Sequence, residues 1–118
     1  MTETTEKPER FISEVEVSKA LDFLRDSAGD IGVAVKEFTK AEKWMGHVEA
    51  ICFRASDEKS AEARKAEARC DPRYVEAIET AAYWAGEKAK LYSLREAASM
   101  KIEAWRSQQA WFRHTTRV

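Results

Sequence analysis

The chain has 118 residues, 35% of them charged, with only four Gly and two Pro, which points to one domain built from few, long elements. Twenty basic and 21 acidic side chains leave a formal net charge of −1, which excludes the globally basic signature of a histone-like protein. The hydrophobic fraction of 44% is ordinary but rich in Ala, so the core is thin and help from partner subunits is expected.

Residues 1–10 are polar, contain Pro8 and show no periodicity. They are expected to be a disordered lead-in to a single helical domain over 11–118. Ser13 and Glu16 have the spacing of a capping box, with Ile12 placed as a hydrophobic staple. Val17, Ala20, Leu21 and Leu24 then mark the apolar face of a short first helix that ends near Ser27-Ala28-Gly29. Asp30 is placed to cap a second helix, whose heptad seam is Ala34, Phe38, Ala41, Met45, Val48, Cys52 and Ala55. From Asp57 to Arg69 the large apolar residues give way to Ala61, Ala63, Ala66 and Ala68 among charges. Good helix formers and i,i+4 pairing are expected to carry the helix on through this stretch.

Cys70-Asp71-Pro72 is the clearest punctuation, because Asp is a good N-cap and Pro is preorganised for the first helical position. Beyond it a seam of Tyr74 or Val75, Ile78, Ala82, Ala85, Ala89 and Tyr92 drifts to Leu91, Leu94, Ala98, Ile102, Trp105, Gln109 and Phe112. Gly86 penalises that helix by about 1 kcal/mol and does not stop it. Two helices of about 40 residues would each be roughly 60 Å long, and a short turn at Asp71-Pro72 sets them antiparallel. The expected fold is therefore all-α, a short N-terminal helix plus a long antiparallel helical hairpin. Its uncovered apolar edge calls for a homo-oligomer.

Charge is polarised along the chain. Residues 1–30 carry eight acids and four bases, a net −4, whereas Lys88 to Val118 carry seven bases against Glu96 and Glu103, a net +5. Cys52 and Cys70 have no metal-type spacing and read as free, reduced thiols. No apolar run approaches the ~18 residues of a membrane span, and the N-terminus lacks the basic-then-apolar order of a secretion signal. A cytoplasmic location without membrane contact is expected.

Catalysis needs convergent groups. The two His, His47 and His114, lie far apart in sequence, and there is no glycine-rich phosphate loop. The carboxylates alternate with bases at helical spacing, as in Glu62, Lys65 and Arg69, which describes a solvated helix face. No catalytic residue, metal ligand or cofactor is expected, and the chain does not read as an enzyme. Trp44 and Trp84 flank the seams and are expected to pack at helix interfaces, while Arg54, Arg64, Lys65, Arg69 and Arg73 are diluted by acids and read as solvated.

The C-terminal third interleaves bases with aromatics. Lys88, Lys90, Arg95, Lys101, Arg106 and Arg113 could neutralise phosphates, while Trp105 and Trp111 could stack on unpaired bases. These eight are the candidate nucleic-acid-binding residues. The alternative left open is that Trp105 and Phe112, seven apart, are seam residues packing inward.

A long charged helix from Glu42 to Arg69, then Arg73-Tyr74, Tyr83-Trp84 and the stretch Leu94 to Ile102 follow one another in a familiar order. Over about residues 40–113 this resembles the small recombination mediator proteins of T4-type phages. The resemblance implies a ring-like homo-oligomer that binds single-stranded DNA and helps load a RecA-type recombinase. By matching position, Arg95 and Lys101 carry it best, whereas the acidic first helix and the Trp-rich C-terminus depart from it. The expected function is a single-stranded-DNA-binding assembly protein of phage-type recombination or replication. The alternative is a structural or adaptor protein whose apolar seam binds a protein partner without nucleic acid.

Overall fold

The computed structural model describes residues 7, 8 and 10–116. Its elements are α1 (Glu14–Asp26), α2 (Ala28–Ala55), α3 (Ala61–Cys70) and α4 (Pro72–Thr116), with no strand among the described residues. The all-α class follows. Of the expected disordered lead-in, residues 1–6 and 9 lie outside the described residues.

The helix ends are written by local chemistry. At α1 the Ser13 hydroxyl accepts from the Glu16 N–H, and the Glu16 carboxylate accepts from the Ser13 N–H, which completes the capping box. Arg10 adds an ion pair to Glu16 at 2.6 Å. The Ser13 N–H, followed by the charges of Arg10 and Lys101, holds the Glu16 carboxyl below its usual range. Asp30 does not cap α2 as expected. A single residue, Ser27, separates α1 from α2, and Asp30 sits within the first turn of α2, where the helix dipole favours an acid. Ser27 closes α1 instead, its N–H donating to the Phe23 carbonyl, as does its hydroxyl.

The largest departure from the sequence reading lies between α2 and α3. Good helix formers were expected to run unbroken to Arg69, yet the helix stops at Ala55 and restarts at Ala61. Two serines explain the break. The Ser56 hydroxyl accepts from the Glu58 N–H and donates to the Glu67 carboxylate, and the Ser60 hydroxyl accepts from the Ala63 N–H as an N-cap. Such side chains offer the backbone partners outside the helix and so compete with it. Folding α3 back lets Arg69 reach Glu49 at 3.3 Å and buries Ala68 to 1% exposure.

Asp71 and Pro72 start α4 as expected, but the helix before them is the 10-residue α3 and not a helix of about 40 residues. Pro72 is the first residue of α4, and the Asp71 carboxylate accepts from the Arg73 N–H at 2.8 Å and from the Arg73 guanidinium at 3.1 Å. The guanidinium first, then the N–H, hold this carboxyl at about 2, below its ordinary 3.8. A depressed folded-state value stabilises the fold above the unfolded pKa and is lost as pH falls through the folded one. Asp71→Asn is therefore expected to flatten the loss of stability between about pH 4 and pH 2. Urea midpoints across that range check it.

The chain divides into two compact units, one joining residues up to Asp30 with those from Leu91 onward, the other covering Ile31–Lys90. In the second unit Val48 and Cys52 of α2 cluster with Ala68 and Ala77, flanked by Met45, Phe53 and Tyr74. The Lys88 ammonium lies 4.4 Å from the centre of the Phe38 ring. Numbers rise along α2 as they fall along α4, so the two helices run antiparallel across this unit. The expected α2 seam holds at Ala34, Ala41, Val48 and Cys52, all buried, but Ala55 is exposed.

The expected α4 seam holds in its second half, where Ala98 is buried and Leu91, Ile102, Trp105 and Gln109 are half-buried, but it is displaced by one line of residues in the first half. Ala77 and Ala81 are buried, with Tyr74 and Trp84 partly so, whereas Val75, Ile78, Ala82, Ala89 and Tyr92 are exposed. Small Ala side chains at 77 and 81 let α2 approach closely, and this packing outweighs the greater bulk of Ile78 on the neighbouring line. Gly86 sits inside α4 without interrupting it.

In the first unit α1 runs antiparallel to the second half of α4, with Ala20 and Phe23 beside Leu94, Ala97, Ala98 and Lys101. Gln108 is buried and grips the Ile12 main chain, accepting from its N–H and donating to its carbonyl. Phe11 stacks on Phe112 with ring centres 5.5 Å apart, and Trp111 lies 6.0 Å from Phe11.

Candidate functional site

The eight candidate nucleic-acid-binding residues are divided between the two units. Lys88 and Lys90 belong to the Ile31–Lys90 unit and the other six to the unit containing α1. Lys88 is half-buried over Phe38, and Lys90 lies 3.5 Å from Glu87.

Arg95 is built into the fold. Its guanidinium donates to the Leu24 carbonyl at 2.7 Å and to the Ser27 hydroxyl at 2.6 Å. It thus caps the C-terminal end of α1, where carbonyls lack helical partners and a cation is favoured by the dipole. Lys101 is half-buried in the shallow hollow between α1 and α4, near enough to depress Glu16. Arg106 is exposed and pairs with Glu103 at 2.8 Å. Arg113 is exposed on the last turn beside His114.

The aromatic candidates divide in the same way. Trp105 is half-buried, and its indole Nε1 is fully buried without a hydrogen-bond partner. Trp111 packs against Phe11 and Phe112, ring centres 6.0 and 5.3 Å away. The rings of the Phe11–Phe112 stack are more exposed, at 48% and 38%.

The sequence reading missed the Trp44 face. Trp44, expected to pack at a helix interface, is 54% exposed within the chain, and Ile51, seven residues on, is 41% exposed. His47 lies 5.2 Å from the Trp44 ring. Trp44, Val48 and Ile51 line one wall of an open groove of about 450 Å³, and Arg73, Glu76, Ala77 and Thr80 line the other. The signal was present in the seven-residue spacing of Trp44 and Ile51, which parallels the buried pair Ala41 and Val48.

Cys52 is buried beside the Asp71–Arg73 pair, and burial pushes its thiol up. Cys70 is exposed, and both cysteines are free. Among the described residues no group of three or more His, Cys, Asp or Glu is placed to hold a metal ion, and no helix is long and apolar enough to cross a membrane.

No family model, curated protein or solved structure matches the chain. The functional reading therefore rests on its own surfaces.

Proposed function

We propose that this is an assembly or adaptor protein, a cytoplasmic helical hairpin that associates with itself or with a helix of a protein partner. One observation carries the reading. Among the described residues no large side chain is fully buried, and the core is mostly Ala and Val, while Trp44, Tyr83, Tyr92, Leu94 and Met100 are 54, 60, 54, 47 and 65% exposed. So many large apolar side chains left exposed along the helices support association with another helix. Light scattering against protein concentration tests the reading. A mass that rises above 13.5 kDa and resists added salt supports apolar association. A chain that stays monomeric and captures no helical partner defeats it.

A second reading, single-stranded DNA binding by an oligomer that helps load a RecA-type recombinase in phage recombination or replication, is favoured by the exposed Phe11–Phe112 stack beside Arg113 and His114. Exposed rings flanked by bases suit stacking on unpaired bases with phosphate neutralisation. Fluorescence anisotropy of a labelled single-stranded oligonucleotide separates the two readings. DNA binding requires a signal that falls steeply with salt and is abolished by Arg106→Glu with Arg113→Glu, a pair that leaves apolar association intact.

A further inference from the structure

The break between α2 and α3 is short and contains nothing that forbids a helix. Residues 56–60 read Ser-Asp-Glu-Lys-Ser, and neither Gly nor Pro occurs between His47 and Asp71, so the two residue types most hostile to a helix interior are missing. Side chains hold the break open instead. The Ser56 hydroxyl accepts from the Glu58 N–H and donates to the Glu67 carboxylate, the Ser60 hydroxyl accepts from the Ala63 N–H, and the Arg64 guanidinium donates to the Glu58 carbonyl at 2.8 Å. The last carbonyls of α2 and the first N–H groups of α3 lack helical partners at these two ends, and a continuous helix joins them to each other. In that helix Arg54 stands four residues from Glu58 and Lys59 three from Glu62, against one like-charged pair, Glu58 and Glu62.

The contacts between distant parts of the chain span this break in both units. In one, Gln108 meets Ile12 and Arg95 meets Leu24 and Ser27. In the other, Arg69 meets Glu49, and Ala68 and Ala77 pack with Val48 and Cys52. The chain is thus two arms, one up to Ala55 and one from Ala61, that close on each other within each unit. We propose that residues 56–60 are the hinge of an arm exchange, in which α2 and α3 straighten into one helix and the arm from Ala61 packs on the first arm of a second copy. The contacts that close one chain then form between two, so the exchanged dimer rebuilds the same core. The two states differ at the hinge, where serine caps and a fold-back give way to helical hydrogen bonds, and short hinges favour such an exchange. The proposal rests on the self-association reading above, and it uses the buried contacts rather than the exposed side chains.

The test uses the full chain with Cys70→Ser, Glu49→Cys and Arg69→Cys. Positions 49 and 69 meet at 3.3 Å in one chain through an ion pair that is partly exposed, and Cys52 is buried away from reagent. Monomer and dimer, separated by size, are treated with a short bismaleimide and run on a denaturing gel. Linkage within a chain is expected from the monomer and linkage between chains from the dimer. In the natural background, light scattering across a concentration series reads the affinity, with circular dichroism and thermal melting as fold controls. Ser56→Ala with Ser60→Ala is expected to strengthen the dimer by about tenfold or more, because both serine contacts that oppose the straight helix are lost. Lys59→Pro is expected to weaken it by as much, and two Gly inserted after Lys59 do the same should the proline disturb the fold. A dimer linked only within its chains overturns the exchange and leaves association to the exposed side chains. An affinity that none of the hinge changes moves overturns it as well. A Ser56→Ala, Ser60→Ala chain that stays at 13.5 kDa throughout the series also overturns it, and binding to a helical partner then decides the broader reading.

Discussion

Arg95→Ala is expected to lose about 2–3 kcal/mol of folding stability, the scale for removing a charged hydrogen-bond partner from a part-buried site. The Leu24 carbonyl lies at the end of α1, where no later N–H of that helix can reach it, and Ser27 is only 3% exposed. Without the guanidinium both groups lose a partner, and water reaches Ser27 poorly. Arg95→Lys should recover part of the loss, since one ammonium keeps the charge at the helix end but not the guanidinium geometry. Arg106→Ala is the internal control. Its pair with Glu103 is exposed at 67% and 60%, so the change should stay within about 0.5 kcal/mol. Urea midpoints measure the three variants side by side, and equal shifts for Arg95→Ala and Arg106→Ala would remove the capping role. The result also bears on function, because weaker DNA binding by an Arg95 variant would have to be separated from a loosened α1.

Gln108→Ala should be of comparable size, about 2–4 kcal/mol, because it strands two main-chain groups at once. Gln108 is 5% exposed, and its amide meets both the N–H and the carbonyl of Ile12, which is itself 8% exposed. The amide is the matching chemistry, one acceptor and one donor on a single planar group. Gln108→Glu keeps the acceptor but turns a second oxygen toward the Ile12 carbonyl. Only the protonated acid restores a donor there, so the pKa of that carboxyl should rise and the stability deficit should shrink as pH drops from 7 towards 5. Denaturation at the two pH values reads the difference, and a deficit independent of pH would show that the carboxylate escapes to solvent. Hydrogen exchange at the Ile12 amide gives a local check, since its protection depends on Gln108.

Much of the fold was legible in the residues. Ser13 with Glu16 and Asp71 with Pro72 fix helix ends through contacts within four residues, and such signals need no tertiary context. The α2 seam was legible for the same reason, since Ala34, Ala41, Val48 and Cys52 form one apolar line flanked by polar ones. The break at Ser56–Ser60 is not legible in the same way, although both serines stand in the sequence. Helix propensity and serine capping compete there within a small energy gap, and the fold-back that buries Ala68 accompanies the capped solution.

The sequence by itself determined that the chain is helical, where α1 and α4 begin, and that apolar side chains outnumber the places to hide them. Tertiary structure decided which apolar line of α4 faces inward, and with it which residues remain for a partner. Ala77 and Val75 are both apolar, and only the closeness of Val48 and Cys52 selects the former. It also decided the roles of the charged residues. Arg95 and Arg106 look alike in a sequence, yet one ties two segments 71 residues apart and the other meets solvent. Long-range pairs of this kind leave no local periodicity, because the partner carbonyl belongs to a main chain that every residue shares.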